Sequence, residues 1–225
     1  VASWPLWQSA APLRTTLGHF ARHVRGQLVH GAAVGTAEGA VLLSARGGSG
    51  KSTTALACLE ASLLYLGDDY VYLNQALPRR VFSIYATAKL RPEGSLWNAK
   101  LGAAAWQHQP GEAKSVLYLH PSFREQLVTS LPLRAVLIPT LSPGATTRLQ
   151  PASAKEALLA LAPTTVFQLP GSDSTVLSAL SQLVRDVPIY RLELGPQPAA
   201  AAAVIKKLLS AESAGELEEI RDAAK

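Results

Sequence analysis

Leu13, Leu17, Phe20 or Ala21, and Val24 recur at helical spacing, while Arg14, His19, Arg22, His23 and Arg25 take the intervening positions. This pattern predicts an amphipathic helix. Its basic side has two readings, a solvated face or a contact with substrate. Residues 27–34 read as a strand ending in small residues, 36–39 as a turn, and 40–44 as a short apolar strand entering a glycine-rich segment. Two strands joined by so few residues must be antiparallel, so a mixed sheet is expected. A helix over 52–61 follows, then an apolar strand at 63–66 that stops at Gly67-Asp68-Asp69. Short β-like pieces at 71–73, 81–85 and 115–119, broken by Pro and Gly, predict further sheet with exposed loops. Strands at 135–138 and 189–194 and helices at 152–161, 176–184 and 199–209 complete the pattern, and the polar tail 212–225 is expected to fray. Neither an internal repeat nor a long linker divides the chain. Residues 1–225 are therefore expected to form one α/β domain, a mixed sheet flanked by helices, with a nucleotide-binding core at 27–73.

Composition narrows the class. With 48% hydrophobic and 16% charged residues the chain is far from the signature of disorder. No apolar run approaches ~20 residues, and the first eleven residues lack the basic-then-apolar order of a secretory peptide. The expectation is a cytoplasmic protein with no membrane partner. A net charge of +5 and a pI of about 9.5 could suggest nucleic acid, but the basic residues never form a run interleaved with aromatics. The charge suits small anions, which a positive field concentrates. Cys58 is the single cysteine, expected to be a buried, inert thiol, and the five histidines show no zinc spacing.

The segment Ala45-Arg46-Gly47-Gly48-Ser49-Gly50-Lys51-Ser52, followed by Thr53, fits a phosphate-binding loop, with Ala at the usual first Gly. Glycines at 47, 48 and 50 let successive N–H groups turn inward around a phosphate, and the start of the next helix adds its partial positive charge. Lys51 would reach the terminal phosphates as a point charge, and the Ser52 hydroxyl would ligate Mg²⁺. Asp68 comes 17 positions after Lys51, enough for a helix, a turn and a short strand. That strand is expected beside the one at 40–44, so that Asp68 and Asp69 emerge near the phosphates. One carboxylate could hold the metal while the other accepts a hydroxyl proton, and on an extended segment the two point to opposite sides. Gly-Asp-Asp is also ordinary turn composition.

At these residues the sequence resembles the HPr kinase/phosphorylase family, whose fold is shared with PEP carboxykinase. His30-Gly31, the 45–53 loop and Asp68-Asp69 carry the likeness. Leu28-Val29-His30-Gly31-Ala32-Ala33-Val34-Gly35 and Leu66-Gly67-Asp68-Asp69-Tyr70-Val71 bring it closer to the short HPr-kinase-like serine kinases, some of which phosphorylate lasso-peptide precursors. The resemblance implies ATP and Mg²⁺, with Arg46, Gly47, Gly48, Ser49, Gly50, Lys51, Ser52 and Thr53 on the nucleotide. It also implies Ser52 and Asp68 on the metal, and a catalytic set of Asp68, Asp69, Lys51 and His30. Lys89, Arg91 and Lys114 become candidates for closing over the transferred phosphoryl group. The chain departs from true HPr kinase in lacking its Glu-Ile-Arg-Gly signature and in carrying Thr53 where those enzymes carry Glu. HPr as acceptor and a hexameric assembly are therefore not implied, and a homo-oligomer stays open.

Three functions fit. The first is Mg-ATP-dependent transfer of a phosphoryl group to a hydroxyl, foremost a serine of a peptide or protein. The second is a small-molecule kinase, and the third a non-catalytic nucleotide-binding regulator, which would have no use for a base beside the metal.

Overall fold

A computed structural model of the protein describes residues 4–91, 99–167 and 174–211. The elements run α1 (Leu6–Ala10), α2 (Arg14–His23), β1 (Gly26–His30), β2 (Ala32–Thr36), β3 (Gly39–Leu43), α3 (Lys51–Glu60), β4 (Leu64–Gly67) and β5 (Tyr70–Asn74). There follow β6 (Arg80–Phe82), β7 (Thr87–Leu90), α4 (Ala99–Gly102), β8 (Ala105–Gln107), β9 (Ser115–Tyr118) and β10 (Ser130–Leu141). The last are β11 (Arg148–Pro151), α5 (Ala154–Val166), α6 (Ser174–Asp186), β12 (Ile189–Leu194) and α7 (Pro198–Ser210).

The larger sheet has the order β1-β5-β6-β10-β3-β2-β4, with β12 also beside β10 and β11 beside β12. Only the pairs of β10 with β3 and with β12 are parallel, so the sheet is mixed and mostly antiparallel. The central strands are apolar without interruption because both faces are covered. Val41 and Leu43 of β3 pack with α3 and α7 residues such as Leu56 and Ile205, whereas Ala40 and Leu42 pack with Leu161 and Leu180 of α5 and α6. The alternation is the strand's two-residue period. A smaller sheet, β7-β9-β8, joins the first of these cores through Ala88, Leu90, Leu117 and Leu119.

Three expectations need correction. The single strand at 27–34 is two strands, because the chain breaks at Gly31. Strand β1 pairs β5, whereas β2 pairs β3 and β4. A Cβ on Gly31 would stand 2.8 Å from the Leu43 carbonyl oxygen, and its N–H donates to the Asp69 carbonyl at 2.9 Å. Alternation of small apolar residues does not register such a change of partner. Second, β4 does not lie beside β3, since β2 is inserted between them. Both are antiparallel to β2 and so run in the same direction, which still brings their carboxyl ends out at one edge. Third, the helix expected at 152–161 runs on through Pro163 to Val166. Ser153 and Glu156 close a capping box at its start, and the Thr164 hydroxyl donates to the Ala160 and Leu161 carbonyls near the proline.

Gly31 is thus a packing constraint at the point where the two strands part. Gly31→Ala should lower unfolding stability by about 1–3 kcal/mol, the usual cost of forcing atoms into filled space. A urea titration checks this as a fall in midpoint at unchanged slope.

Candidate active site

The loop between β3 and α3 is held by local geometry. Gly48 and Gly50 have φ of 81° and 97°, and a Cβ on Gly47 or Gly48 would meet nothing within 4 Å. Their open side faces a cleft of about 500 Å³. No side chain caps the amino end of α3, where Gly50 occupies the cap position, so its first N–H groups are free for an anion. Lys51 is buried and folds back over the loop, its Nζ donating to the carbonyls of Ala45 at 2.7 Å and Arg46 at 3.0 Å. Burial pushes its pKa down, against the pull of Asp68 and Asp69.

Beneath the loop sits Asp68, 3% exposed. Its Oδ1 accepts from Ser52 Oγ at 3.1 Å and its Oδ2 from the Lys89 N–H at 3.2 Å. Burial raises its pKa to about 6, with the Asp69 charge adding and the two hydrogen bonds opposing. The two aspartates are not on an extended segment. Asp69 has φ of 70°, and the Tyr70 N–H turns back to the Asp68 carbonyl at 2.9 Å. This bend sends the Asp69 carboxylate into the cleft, where it pairs with the Lys89 ammonium and lies 3.9 Å from His30 Nε2.

His30, the last residue of β1, is fixed through its main chain. Its N–H donates to Thr165 Oγ1 at 3.3 Å, its carbonyl accepts from Ser44 Oγ at 3.4 Å, and its ring meets Tyr70 edge-on at 5.3 Å. Burial lowers its pKa to about 4, opposed by Asp69 and reinforced by Lys51, Lys89 and Arg14. At neutral pH the imidazole is uncharged. Its Nδ1 is buried with no hydrogen-bond partner among the described residues.

The cations opposite come from the smaller sheet. Leu90 pairs with Ser115 at the end of the β7–β9 register, and Arg91 and Lys114 are the next residues on either side. Both line the cleft, as does Lys89. Of the other residues singled out in the sequence, Gly47, Gly48, Gly50, Lys51, Ser52 and Thr53 line it too, whereas Asp68 lies below. Arg46 and Ser49 face a second cleft of about 490 Å³, against Glu156 and Leu159. The Ser49 hydroxyl is buried without a partner among the described residues.

Sequence reasoning missed Tyr70 and the apolar floor, and Arg14, read in the sequence as part of a basic helix side with solvent or substrate as its two readings, lies beside Tyr70. The Arg14 guanidinium lies 5.7 Å above the Tyr70 ring, Leu141 lines the cleft, and Leu194 would be 2.6 Å from a Cβ on Gly50. Tyr70 adjoins Asp69 in the chain; Leu141 and Leu194 carry no local signal. Cys58 is buried and its thiol is pushed up to about 12, in keeping with an inert role.

Among the described residues no group of three or more His, Cys, Asp or Glu could hold a metal alone. Ser52 and Asp68 offer two neighbouring oxygens. That donor set suits Mg²⁺, which commonly takes one or two protein ligands beside phosphate and water. No helix among the described residues is long and apolar enough to cross a membrane.

No family model and no curated protein matches the chain. Among solved structures, the Hpr(Ser) kinase/phosphatase from Coxiella burnetii is similar to it at 10% identity and a TM-score of 0.40, over 79% of this chain and 92% of that one. At that level the likeness fixes neither fold family nor function.

Two of the shifted groups, His30 and Asp68, pull stability in opposite directions in the acidic range. His30 falls from its ordinary 6.5 to about 4, so between these values the folded chain binds fewer protons, and its contribution is complete above pH 6.5 and lost as pH falls toward 4. Asp68 rises from 3.8 to about 6, so its burial weighs against folding increasingly as pH climbs through that window. In ligand-free protein with chelator, His30→Asn should gain on the unmutated chain from pH 6.5 to 4. Asp68→Asn should gain from pH 4 to 6. Each change should be on the order of 3 kcal/mol in urea titrations across this range.

Proposed function

We propose that the cleft transfers the terminal phosphoryl group of ATP to a hydroxyl, foremost a serine of a peptide or protein, with residues 45–53 acting as a P-loop. The observation that carries this reading is that Asp69 lines the same cleft as Lys51 and the open glycine backbone, and is held there between Lys89 and His30.

The loop N–H groups and the amino end of α3 bind the phosphates, and Lys51 exchanges its two loop carbonyls for phosphate oxygens. Ser52 and Asp68 would hold Mg²⁺, which when bound neutralises phosphate charge. Asp69 takes the proton from the acceptor hydroxyl as its oxygen bonds to phosphorus and the bond to the leaving diphosphate breaks. Lys89 and the neutral His30 orient that carboxylate, and Lys89, Arg91 and Lys114 stabilise charge on the group in flight. Asp68 has too little exposure to meet an acceptor, which is why the base is assigned to Asp69.

Lys51→Ala should lose ATP binding or turnover while its melting curve stays close to that of the unmutated protein, since among the described residues its Nζ bonds only loop carbonyls. Calorimetry and a thermal melt check both parts. Unchanged affinity and turnover in the folded variant would remove the phosphate-loop claim.

The two aspartates should separate in a γ-labelled ATP assay. Asp69→Asn should slow transfer by about 100-fold or more with ATP still bound, whereas Asp68→Asn should raise the Mg²⁺ concentration needed for half-maximal rate. Excess chelator should stop transfer by the unmutated enzyme. Transfer by Asp69→Asn at the full rate would sink its assignment as base.

A further inference from the structure

The residues of the glycine-rich loop do not all face one way. Arg46 and Ser49 line only the second cleft, whereas His30, Asp69, Lys89, Arg91 and Lys114 line only the first. Gly47 and Gly48 line both, and a Cβ on either would meet nothing within 4 Å, so bare backbone with open space above it joins the two clefts. The second cleft arises because β10 outlasts its neighbour. Its pairing with β3 ends at Leu137 and Leu43, and β10 continues beside β12 to Leu141. Ile138, Pro139 and Leu141 line one side of the space this leaves, and Leu159 and Ala160 of α5 line the other. Leu141 and Leu159 are 57% and 61% exposed, which leaves apolar surface open at this cleft. The Ser49 hydroxyl, buried there without a partner among the described residues, is a polar atom of a kind that is seldom left unmet.

Charge and direction both separate the clefts. The first gathers Lys51, Lys89, Arg91 and Lys114 around Asp69, which suits phosphate groups. Among the described residues the charged ones lining the second are Arg46 and Glu156, one of each sign, and Glu156 is already paired with Arg191. Its apolar walls and volume of about 490 Å³ suit an uncharged flat ring. In phosphoryl transfer the attacking and leaving oxygens lie roughly in line about phosphorus. In the sheet, β10 flanks β3 on one side, and β2 and then β4 on the other, so the loop after β3 stands between Asp69 and the second cleft. With the acceptor hydroxyl at Asp69, the leaving diphosphate and its nucleoside run away from it, over Gly47 and Gly48.

We propose that the second cleft holds the adenine ring of ATP between the end of β10 and the Leu159 side of α5, with the triphosphate crossing Gly47 and Gly48 into the first. This rests on the reading of the first cleft as a phosphoryl-transfer site. The ring covers the open Leu159 side chain, and the nucleoside gives the Ser49 hydroxyl a polar neighbour.

The test uses the full chain with Mg²⁺ and two probes, ATP and inorganic tripolyphosphate, which keeps the phosphates and has no base. Calorimetry should show ATP bound at least about 10-fold more tightly than tripolyphosphate. Leu159→Asn, checked by thermal melting, should weaken ATP binding by about 5-fold or more and leave tripolyphosphate within about twofold. Leu159→Met should bind ATP as the unmutated protein does, since it keeps the apolar volume. Without any variant, ATP carrying a photoactivatable azide on its base should label residues 138–141 or 156–160, mapped by mass spectrometry, and excess ATP should suppress the label.

Label confined to residues outside these two segments overturns the adenine site, as does equal affinity for the two probes. Equal weakening of both probes by Leu159→Asn also overturns it, because that side chain then only supports the loop. So does unchanged ATP binding in Leu159→Asn, and a raised KM for an acceptor peptide in the same variant would assign the cleft to the acceptor instead. Each of these results leaves the transfer reading standing. Failure of both probes to bind the unmutated protein sinks the transfer reading and the adenine site together.

Discussion

A carboxylate that water barely reaches must be held by donors from the protein, and for Asp68 they come from two distant parts of the chain. The Ser52 hydroxyl reaches it from the first turn of α3 and the Lys89 N–H from β7. Leaving such a group unpaired would cost several kcal/mol, so the arrangement that satisfies it also aligns three bodies. These are the loop and its helix, the end of β4, and the smaller sheet with its cations. The Tyr65 hydroxyl reinforces the alignment by donating to the Thr87 carbonyl at 2.8 Å, tying β4 to β7 within one core.

Around this anchor the molecule leaves polar groups incompletely satisfied. The amino end of α3 has no side-chain cap, His30 Nδ1 has no partner among the described residues, and Lys51 makes do with loop carbonyls. Elsewhere several polar groups are well provided for, although the Ser9 hydroxyl is buried without a partner among the described residues. The buried Arg79 donates to Asp186 and the Asn74 carbonyl, and α5 begins in a full capping box. The uncapped helix end, the unpartnered His30 nitrogen and the lowered pKa values of Lys51 and His30 at this cleft fit a site arranged for an anion more than for stability.

The electrostatics of the cleft follow from burial in the same way. His30 is kept neutral chiefly because its ring is enclosed, with Asp69 opposing and Lys51, Lys89 and Arg14 adding to the effect of burial. Asp68 is pushed upward for the same reason, with its acidic neighbour adding. Of the two adjacent carboxylates, the enclosed one holds structure together and the open one faces whatever enters. A left-handed bend at Asp69 accompanies that difference.

What could be read from residue order was whatever depends on covalent neighbours. A strand, a glycine-rich turn and a helix start are local events, so residues 45–53 were legible, and so was the spacing to Asp68. The helical period of α2 and the apolar run of β3 were legible for the same reason. Residue order left open which strands become neighbours. The insertion of β2 between β3 and β4, the break at Gly31, the smaller sheet that brings Lys89, Arg91 and Lys114 across the cleft, and the Arg14–Tyr70–His30 contact are all choices between distant segments. They are settled by which faces can be buried together and which buried polar groups must find donors, and that sum exists only in the folded chain.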